Sequence, residues 1–231
     1  EDLLKSKEKL TTYATQGLGN YKNWLDCIDR RWGVYEGITP HNDKPGLING
    51  DCIPRQDFVA CHVKYREEGF FLSGGYFMLP MSISKLISNE DINTGRCFDL
   101  KWLKSHGLKR TFKNFKLTAK GFVSWFLNTI TPTNASWNGH NSSGWKTDIL
   151  SVNGFDERMQ YGGQDRELGE RLFNYGIKSK QLRYSAVCVH LDHPRGYKTK
   201  ESIEKNLQIR SKVKSEKSVW TASGIIKSEQ A

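Results

Sequence analysis

The sequence predicts an α/β domain, because two apolar strand patterns flank a segment with a strong helix signal. The first pattern, "GFFLSGGYFMLP" at residues 69 to 80, is interrupted by Gly74-Gly75, where the backbone must pass close to a neighbour. The helix signal begins at Gln164, where apolar residues recur at helical spacing and a glycine suits a left-handed cap. The second pattern, "LRYSAVCVHLDH" at residues 182 to 193, is rich in β-branched residues. Strands alternating with helices are typical of this fold class.

The other expected elements are shorter and less regular. In chain order they are helices over residues 1–16 and 21–32, a loop over 33–46, a helix Ile83–Ile87 capped by Ser82, an irregular or helical insertion over 90–118, a helix starting at Lys146 or Thr147, and a solvated helix or tail over 198–217. A chain of 231 residues is long enough for one sizeable core. Its 37% apolar and 12% aromatic content is typical of a globular protein.

Several classes of protein are disfavoured by what the chain lacks. No stretch approaches the roughly 18 apolar residues of a membrane span, and Glu1 to Lys5 lack the layout of a signal peptide, so we expect a cytoplasmic protein. The five cysteines have no CxxC spacing, which favours buried free thiols over disulfides or a zinc site. The formal charge of +10 favours an anionic partner: a nucleotide sugar, a phosphorylated glycan, an acidic membrane surface or nucleic acid.

Asp165 is the first candidate for chemistry. It falls in the first turn of the expected helix, where the macrodipole favours an ionised carboxylate that could accept a proton from a hydroxyl. A helix-capping role explains the same position. The amide Gln164 stands beside it, where a pair of acids would be the more familiar arrangement.

Two polar clusters are candidates for binding a divalent cation and phosphate. Asn49-Gly50-Asp51 ends in a hard oxygen ligand that suits Mg²⁺ or Mn²⁺ bound to a diphosphate, although Asn-Gly is also a plain turn. His190 and His193 lie at a strand end, where they are either metal ligands or structural residues. Arg195, just beyond, either neutralises phosphate or belongs to a solvated basic loop.

A loop rich in aromatic residues is the third candidate region. Trp137, His140 and Trp145 could stack on the apolar faces of sugars, while core packing is the commoner fate of tryptophan.

Four segments, taken in order, resemble bacterial glycosyltransferases of family 2, including the region often called the galactosyltransferase carboxy-terminal region. The segments are "INGDCIPRQDFVACH", "GFFLSGGYFMLP", "NGHNSSGWKTDILSVNGFDERMQYGGQDRELGERL" and "VHLDHPRGY". The resemblance covers roughly residues 46 to 220, and its most specific part is NGFDE followed by GG-x-D at a helix start. It implies a GT-A-like (Rossmann-like) fold with a mixed sheet flanked by helices, a nucleotide-diphosphate sugar as donor, and inversion at the anomeric carbon.

The resemblance also implies roles for individual residues. Asp165 falls on the general base and Gln164 on the acid that usually precedes it. The donor-binding set is Asn49, Asp51, Gly74, Gly75 and Arg195, with Ser73 to Tyr76 along the donor sugar. The metal set, for Mn²⁺ or Mg²⁺, is Asp51, His190 and His193. The acceptor-binding set is Trp145, Asn141 and Gly163.

The chain departs from the family pattern in three places. Asn49 stands where the family has Asp, and Gln164 stands where it has Glu, so two carboxylates are replaced by amides of similar size. Natural drift and deliberate substitution both remain open as the origin. Residues 1–45 match nothing of the opening strand and nucleoside-binding elements. We therefore expect a helical and loop segment over 1–45, a glycosyltransferase-like domain over 46–220 and a tail over 221–231, with the usual N-terminal nucleotide-binding strands lacking or replaced.

The expected function is an inverting, metal-dependent hexosyltransferase acting on a cell-surface glycan or glycolipid, such as lipopolysaccharide core or capsule, with peripheral contact at the inner face of the membrane. The alternative is a non-catalytic glycan- or nucleotide-sugar-binding module derived from that fold. Nucleic-acid binding ranks last, since no recognised motif supports it.

Overall fold

The structure is a computed structural model that describes residues 52–160, 162–192 and 199–226, together with the backbone of residues 32–34. It confirms an α/β chain with a mixed sheet flanked by helices. The five strands lie in the order β1-β4-β3-β5-β2. Their bounds are β1 Trp32–Val34, β2 Cys52–Pro54, β3 Phe70–Met78, β4 Ser142–Trp145 and β5 Lys178–His190. Strands β3 and β5 are parallel, while the other neighbouring pairs are antiparallel.

The helices of the described segments are mostly short. They are α1 Phe58–Tyr65, α2 Met81–Ser84, α3 Asn89–Asn93, α4 Leu100–Ser105, α5 Phe115–Thr118, α6 Gly121–Ile130, α7 Lys146–Ser151, α8 Gln164–Asn174 and α9 Lys200–Ser215. The expected helical insertion over 90–118 is therefore confirmed as a set of single turns, with 3₁₀ turns at Arg96–Phe98 and Phe112–Asn114. The helix start at Lys146 and the solvated helix near the C-terminus are also confirmed.

The double glycine in β3 is required by the close approach of two other segments. A Cβ atom on Gly74 would lie 2.1 Å from Oδ1 of Asn141, and one on Gly75 would lie 2.0 Å from the carbonyl oxygen of Arg183. The parallel register between β3 and β5 shifts at this point. The expected close passage at Gly74-Gly75 is confirmed, and the neighbours are parts of the same chain.

Two expectations about local structure are wrong. Ser82 does not cap a helix Ile83–Ile87: α2 spans Met81–Ser84 with Pro80 at its N-cap, because the fixed φ of proline suits a helix start. Residues 32–34, expected as a helix end and the start of a loop, form β1. Pairing with the edge of β4 supplies backbone hydrogen bonds that local sequence preference does not reveal. The rest of residues 1–51 lies outside the described part of the chain, as do the expectations made for it.

Two main clusters of apolar side chains form the core. One, around Leu79, Ile83 and Val189, lies under the short helices of the insertion. The other joins α8 to β3. Its members are Phe71, Trp137, Ile149, Val152, Phe155, Leu168, Leu172 and Ile177. The helical spacing expected from Gln164 onward is therefore confirmed, and it anchors α8 against the sheet.

The NGFDE stretch forms a turn that holds the C-terminal segment. Asn153 is fully buried in the left-handed region (φ 64°), and its amide donates to the carbonyl oxygens of Thr221 and Ile226. Asp156 accepts hydrogen bonds from Arg158 and Thr221. Burial raises the pKa of Asp156, but these hydrogen bonds outweigh it and hold the pKa below its usual range.

Cys61, Cys97 and Cys188 are free thiols, and the last two are buried, as expected. Cys27 lies outside the described segments. No helix that the structure describes combines the length and apolar character needed to cross a membrane.

Candidate active site

The N-terminus of α8 presents the candidate base. Gly162 (φ 113°) and Gly163 (φ 88°) both take left-handed conformations that bring the chain into the first turn. Gln164 then accepts a hydrogen bond from the backbone N–H of Gly162 through Oε1, at 2.9 Å. Asp165 is half-buried, and its Oδ1 accepts from the backbone N–H of Arg166 at 2.8 Å. The glycine pair therefore places the Asp165 carboxylate in the first turn of α8, at the positive end of the helix dipole.

The second oxygen of Asp165 ties α8 to the loop before β4. Oδ2 accepts a hydrogen bond from the backbone N–H of Gly139 at 3.1 Å. Asn138, next to Gly139, donates through Nδ2 to Oγ of Ser73 at 2.9 Å and to the carbonyl oxygen of Gly74 at 3.3 Å. The loop thus bridges the helix N-terminus and the middle of β3.

Asn141 fixes the other end of this loop. Its side chain is fully buried, and Nδ2 donates to the carbonyl oxygens of Gly75 and Ala186 at 2.7 and 3.0 Å. Oδ1 of Asn141 contacts Nε2 of His62 at 2.9 Å. The side chain expected to bind an acceptor therefore instead holds β3 and β5 together, because all its polar atoms bond within the protein.

Three rings gather beside the loop, and we call Tyr76, His140 and His190 the ring cluster. The centroids of Tyr76 and His140 lie 4.5 Å apart, edge to face, and His190 lies 6.0 Å from Tyr76 and 6.3 Å from His140. Since His140 follows Gly139, the cluster continues the contacts that start at Asp165. Segments from β3, the loop before β4, α8 and β5 thereby meet in one region.

Lys116 brings a cation to the same place. Its side chain is nearly buried, and Nζ donates to the carbonyl oxygen of Tyr76 at 3.1 Å while lying 5.5 Å from the Tyr76 ring centroid. Burial, assisted by the positive charges of Arg183 and Lys113, lowers the pKa of Lys116 to about 8. The amine is therefore mostly charged at pH 7 and close to its titration range.

His190 makes a backbone contact of a kind that is common among metal-ligating histidines. It lies at the end of β5, where Nδ1 is 2.8 Å from the carbonyl oxygen of Leu191. A carbonyl can only accept, so Nδ1 is the donor in this contact. In the described segments, no group of three or more His, Cys, Asp or Glu side chains has the geometry of a metal site.

Other expected site residues have different surroundings. Trp137 is fully buried in the core, which confirms the core alternative for it. Trp145 donates from Nε1 to the carbonyl oxygen of Glu67 and packs against the buried cluster of Leu72, Leu182 and Ala186. Gly163 faces the side chain of Arg210.

Four of the predicted site residues lie outside the described segments: Asn49, Asp51, His193 and Arg195. The nearest described neighbour of Asp51 is Cys52, which pairs with His190 across β2 and β5. The donor and metal assignments for these four residues therefore stay predictions.

Sequence reasoning missed Lys116 and Asn138. Lys116 is one of many lysines in a basic stretch, and nothing in its neighbours marks it as buried. Asn138 had a usable signal, because Asn138-Gly139 directly precedes a histidine in a loop already considered for ligand binding.

Comparison of the chain with protein-family models and with curated proteins gives no match. The arrangement of side chains is therefore the basis for any statement about function.

Proposed function

We propose that the protein is an inverting glycosyltransferase that moves a sugar from a nucleotide-diphosphate donor to a glycan or glycolipid acceptor. One observation carries the proposal. Asp165, Gly139, His140, Tyr76 and His190 form a continuous series of contacts, although they come from four separate segments of the chain. The half-buried carboxylate of a helix N-terminus and an imidazole suited to a cation therefore share one region.

In the proposed reaction, Asp165 accepts the proton of an acceptor hydroxyl. The hydroxyl oxygen forms a bond to the anomeric carbon as the bond from that carbon to the donor phosphate breaks. The nucleotide diphosphate leaves with the bonding electron pair, and its added negative charge is offset by nearby cations such as Lys116. One displacement inverts the anomeric carbon, and no covalent enzyme intermediate is required.

Mn²⁺ or Mg²⁺ would be held by His190 with Asp51 and His193, in the proposed assignment. The contact of Nδ1 with the carbonyl oxygen of Leu191 fits this role, since ligating histidines commonly donate their other ring N–H to a carbonyl. A bound cation would supply Lewis-acid stabilisation of the departing diphosphate.

The test is the Asp165→Asn variant, assayed with Mn²⁺ and a panel of uridine- and guanosine-diphosphate sugars. Transfer or donor hydrolysis should fall by at least about 100-fold, as expected for loss of a general base, while donor binding by calorimetry is retained. The matched control is Glu201→Gln, which removes an exposed first-turn acid from α9. Full turnover by Asp165→Asn would contradict the assignment of Asp165 as general base. Failure of the folded wild type to bind any donor would contradict the proposal that the protein is a glycosyltransferase.

A second candidate function is a nucleotide-sugar- or glycan-binding module without catalysis. The contact of Gln164 favours it, because Oε1 of the amide is used to bond the Gly162 N–H rather than to receive a proton. The Gln164→Glu variant separates the two proposals. Restored or increased transfer supports an enzyme whose acid was replaced, whereas donor binding without turnover in either form supports the binding module.

A further inference from the structure

Five aromatic side chains lie exposed on three consecutive elements, the 3₁₀ turn Phe112–Asn114, α5 and α6. On α6, Phe122 is 73% exposed, Trp125 50% and Phe126 46%, and just before it Phe112 and Phe115 are 64% and 50% exposed. The rings are grouped: Phe112 and Phe115 lie 5.3 Å apart, and Phe122 lies 5.4 Å from Trp125. Large exposed apolar groups of this kind mark interaction sites on proteins.

The aromatic face of α6 points away from the core. Ser124 and Leu127 occupy the opposite, buried side of the helix, where Leu127 packs with Ala119 and Tyr184 of β5. Phe122, Trp125 and Phe126 follow the i, i+3, i+4 spacing of one helical stripe, so they form a single outward face.

The same stretch has only positive charge. From Leu100 to Thr147 the chain contains eight Lys and Arg residues and no Asp or Glu. Four of these bases are exposed and stand close in sequence to the aromatic residues: Lys109, Arg110, Lys113 and Lys120. A large part of the chain's formal charge of +10 is thus concentrated at this surface.

We propose that residues 109–126 form a docking surface for an anionic lipid bilayer. Exposed Phe and Trp side chains can enter the boundary between headgroups and acyl chains, while flanking lysines bind acidic headgroups. Charge complementarity favours this partner, since residues 109–126 include five bases and no acid. The segment 109–126 is called the docking surface below.

The docking surface adjoins the candidate site through α5. Phe115 and Lys116 are consecutive, yet Phe115 is exposed while Lys116 reaches the carbonyl oxygen of Tyr76. If the proposed function holds, a lipid-linked acceptor in the same bilayer would be close to the ring cluster. Bilayer binding itself does not depend on that function and is tested without any donor sugar.

The test measures sedimentation of the full chain with vesicles of phosphatidylcholine containing one quarter phosphatidylserine, and with vesicles of phosphatidylcholine alone. The wild type should bind the anionic vesicles at least tenfold more tightly, and binding should weaken as salt rises. The variant F122S/W125S/F126S should lose at least tenfold in affinity. Its circular dichroism and melting temperature should match the wild type, because the substituted side chains are largely outside the core.

Two further comparisons distinguish the effect of the bases in the docking surface from the effect of the net charge of the chain. K109Q/R110Q/K113Q should lose about fivefold in affinity per charge removed. K200Q/K205Q/K212Q removes three exposed charges from α9 and should change affinity little, although the net charge falls equally. Trp220→Ser is the matched aromatic control, since Trp220 is 48% exposed outside the docking surface.

Direct insertion is read by quenching of tryptophan fluorescence with brominated phospholipids. Trp125→Phe should keep vesicle binding and lose most of the quenching, even if the triple serine variant folds poorly. Equal binding by the wild type and the surface variants, or no binding to either vesicle, would overturn the proposal. A concentration-dependent dimer in sedimentation that the aromatic variant abolishes would instead assign this face to a second copy of the chain.

Discussion

His62 is a buried histidine whose environment suits only the neutral ring. Its two ring nitrogens contact Oδ1 of Asn141 at 2.9 Å and Oγ of Ser143 at 2.7 Å. Burial lowers the pKa of His62 from 6.5 to about 4, against a smaller opposing effect of the Asn141 hydrogen bond. Because Asn141 in turn binds β3 and β5, protonation of this ring would disturb the strands beneath the candidate site.

Acid should therefore destabilise the protein through His62. The pKa of the unfolded state is the higher one, so between pH 6.5 and 4 the unfolded chain takes up a proton that the folded chain does not. The wild type should lose up to about 3 kcal/mol of unfolding free energy from this group as pH falls through that window. Urea titrations at pH 7, 5.5 and 4.5 measure it, with His62→Gln as the non-titrating comparison. Parallel pH curves for the two proteins would contradict the assignment.

At the residue scale, the sequence could indicate the place of Asp165 but not its partners. A first-turn carboxylate after two glycines is a local pattern, and α8 begins where that pattern predicts. The hydrogen bond from Gly139 comes from 26 positions away, and no local signal encodes it. The same holds for Asn141, whose partners Gly75 and Ala186 are known only once the sheet has formed.

Among the elements, β3 has no room for a side chain at Gly75, which leads to a prediction about stability. Gly75→Ala would place a Cβ 2.0 Å from the carbonyl oxygen of Arg183, which belongs to the backbone of β5 and cannot move aside. Separating the strands should cost about 3 kcal/mol or more of unfolding free energy. Denaturant unfolding measures this, and Met78→Ala on the same strand, where the side chain is 36% exposed, should cost clearly less. A Gly75→Ala protein as stable as Met78→Ala would contradict the close approach.

Regular elements were predictable where their pattern repeats. Helix α8 has apolar residues at helical spacing, β3 is a long apolar run and β5 ends in a run rich in apolar and β-branched residues, so both kinds of element could be identified from the chain alone. The short helices could not be bounded in this way, as α2 illustrates, because one turn contains too few residues to show a period. The exposure of the aromatic side chains of α6 could not be predicted from the sequence either, since aromatic residues in a helix are more often buried than exposed.

For the whole molecule, Asn153 decides whether the C-terminal segment stays attached. Its Nδ2 donates to two carbonyl oxygens and its Oδ1 accepts from the N–H of Ile226, all across more than 65 positions of sequence. Asn153→Ala removes these bonds and leaves an alanine at φ 64°, so unfolding free energy should fall by about 3 kcal/mol.

Limited proteolysis provides the readout specific to this attachment. Cleavage within residues 219–226 should become faster in Asn153→Ala before the rest of the chain is cut. Asn153→Gly is the informative partner variant, because glycine accepts the backbone angle and loses only the hydrogen bonds. Equal cleavage rates in the wild type and both variants would show that the segment is held by other contacts.

The order of strands in the sheet could not be predicted from the sequence, and neither could the structural use of NGFDE. Strand order depends on pairing between distant segments, which local preference does not determine. The motif that best carried the family resemblance contains Asn153 and Asp156, and both bond the C-terminal segment rather than the ring cluster. The GT-A-like detail of the fold and the donor-side residues before Cys52 remain predictions.

The pairing of β3 with β5 has a consequence for protein synthesis. Gly75 and Cys188 touch across this pair although 113 positions separate them in the chain. At the usual speed of a ribosome, β3 would emerge roughly 6 to 20 seconds before its parallel partner. During that interval the edge of β3 lacks the parallel strand that later pairs with it, so newly made chains should be clients of chaperones that shield nascent polypeptides.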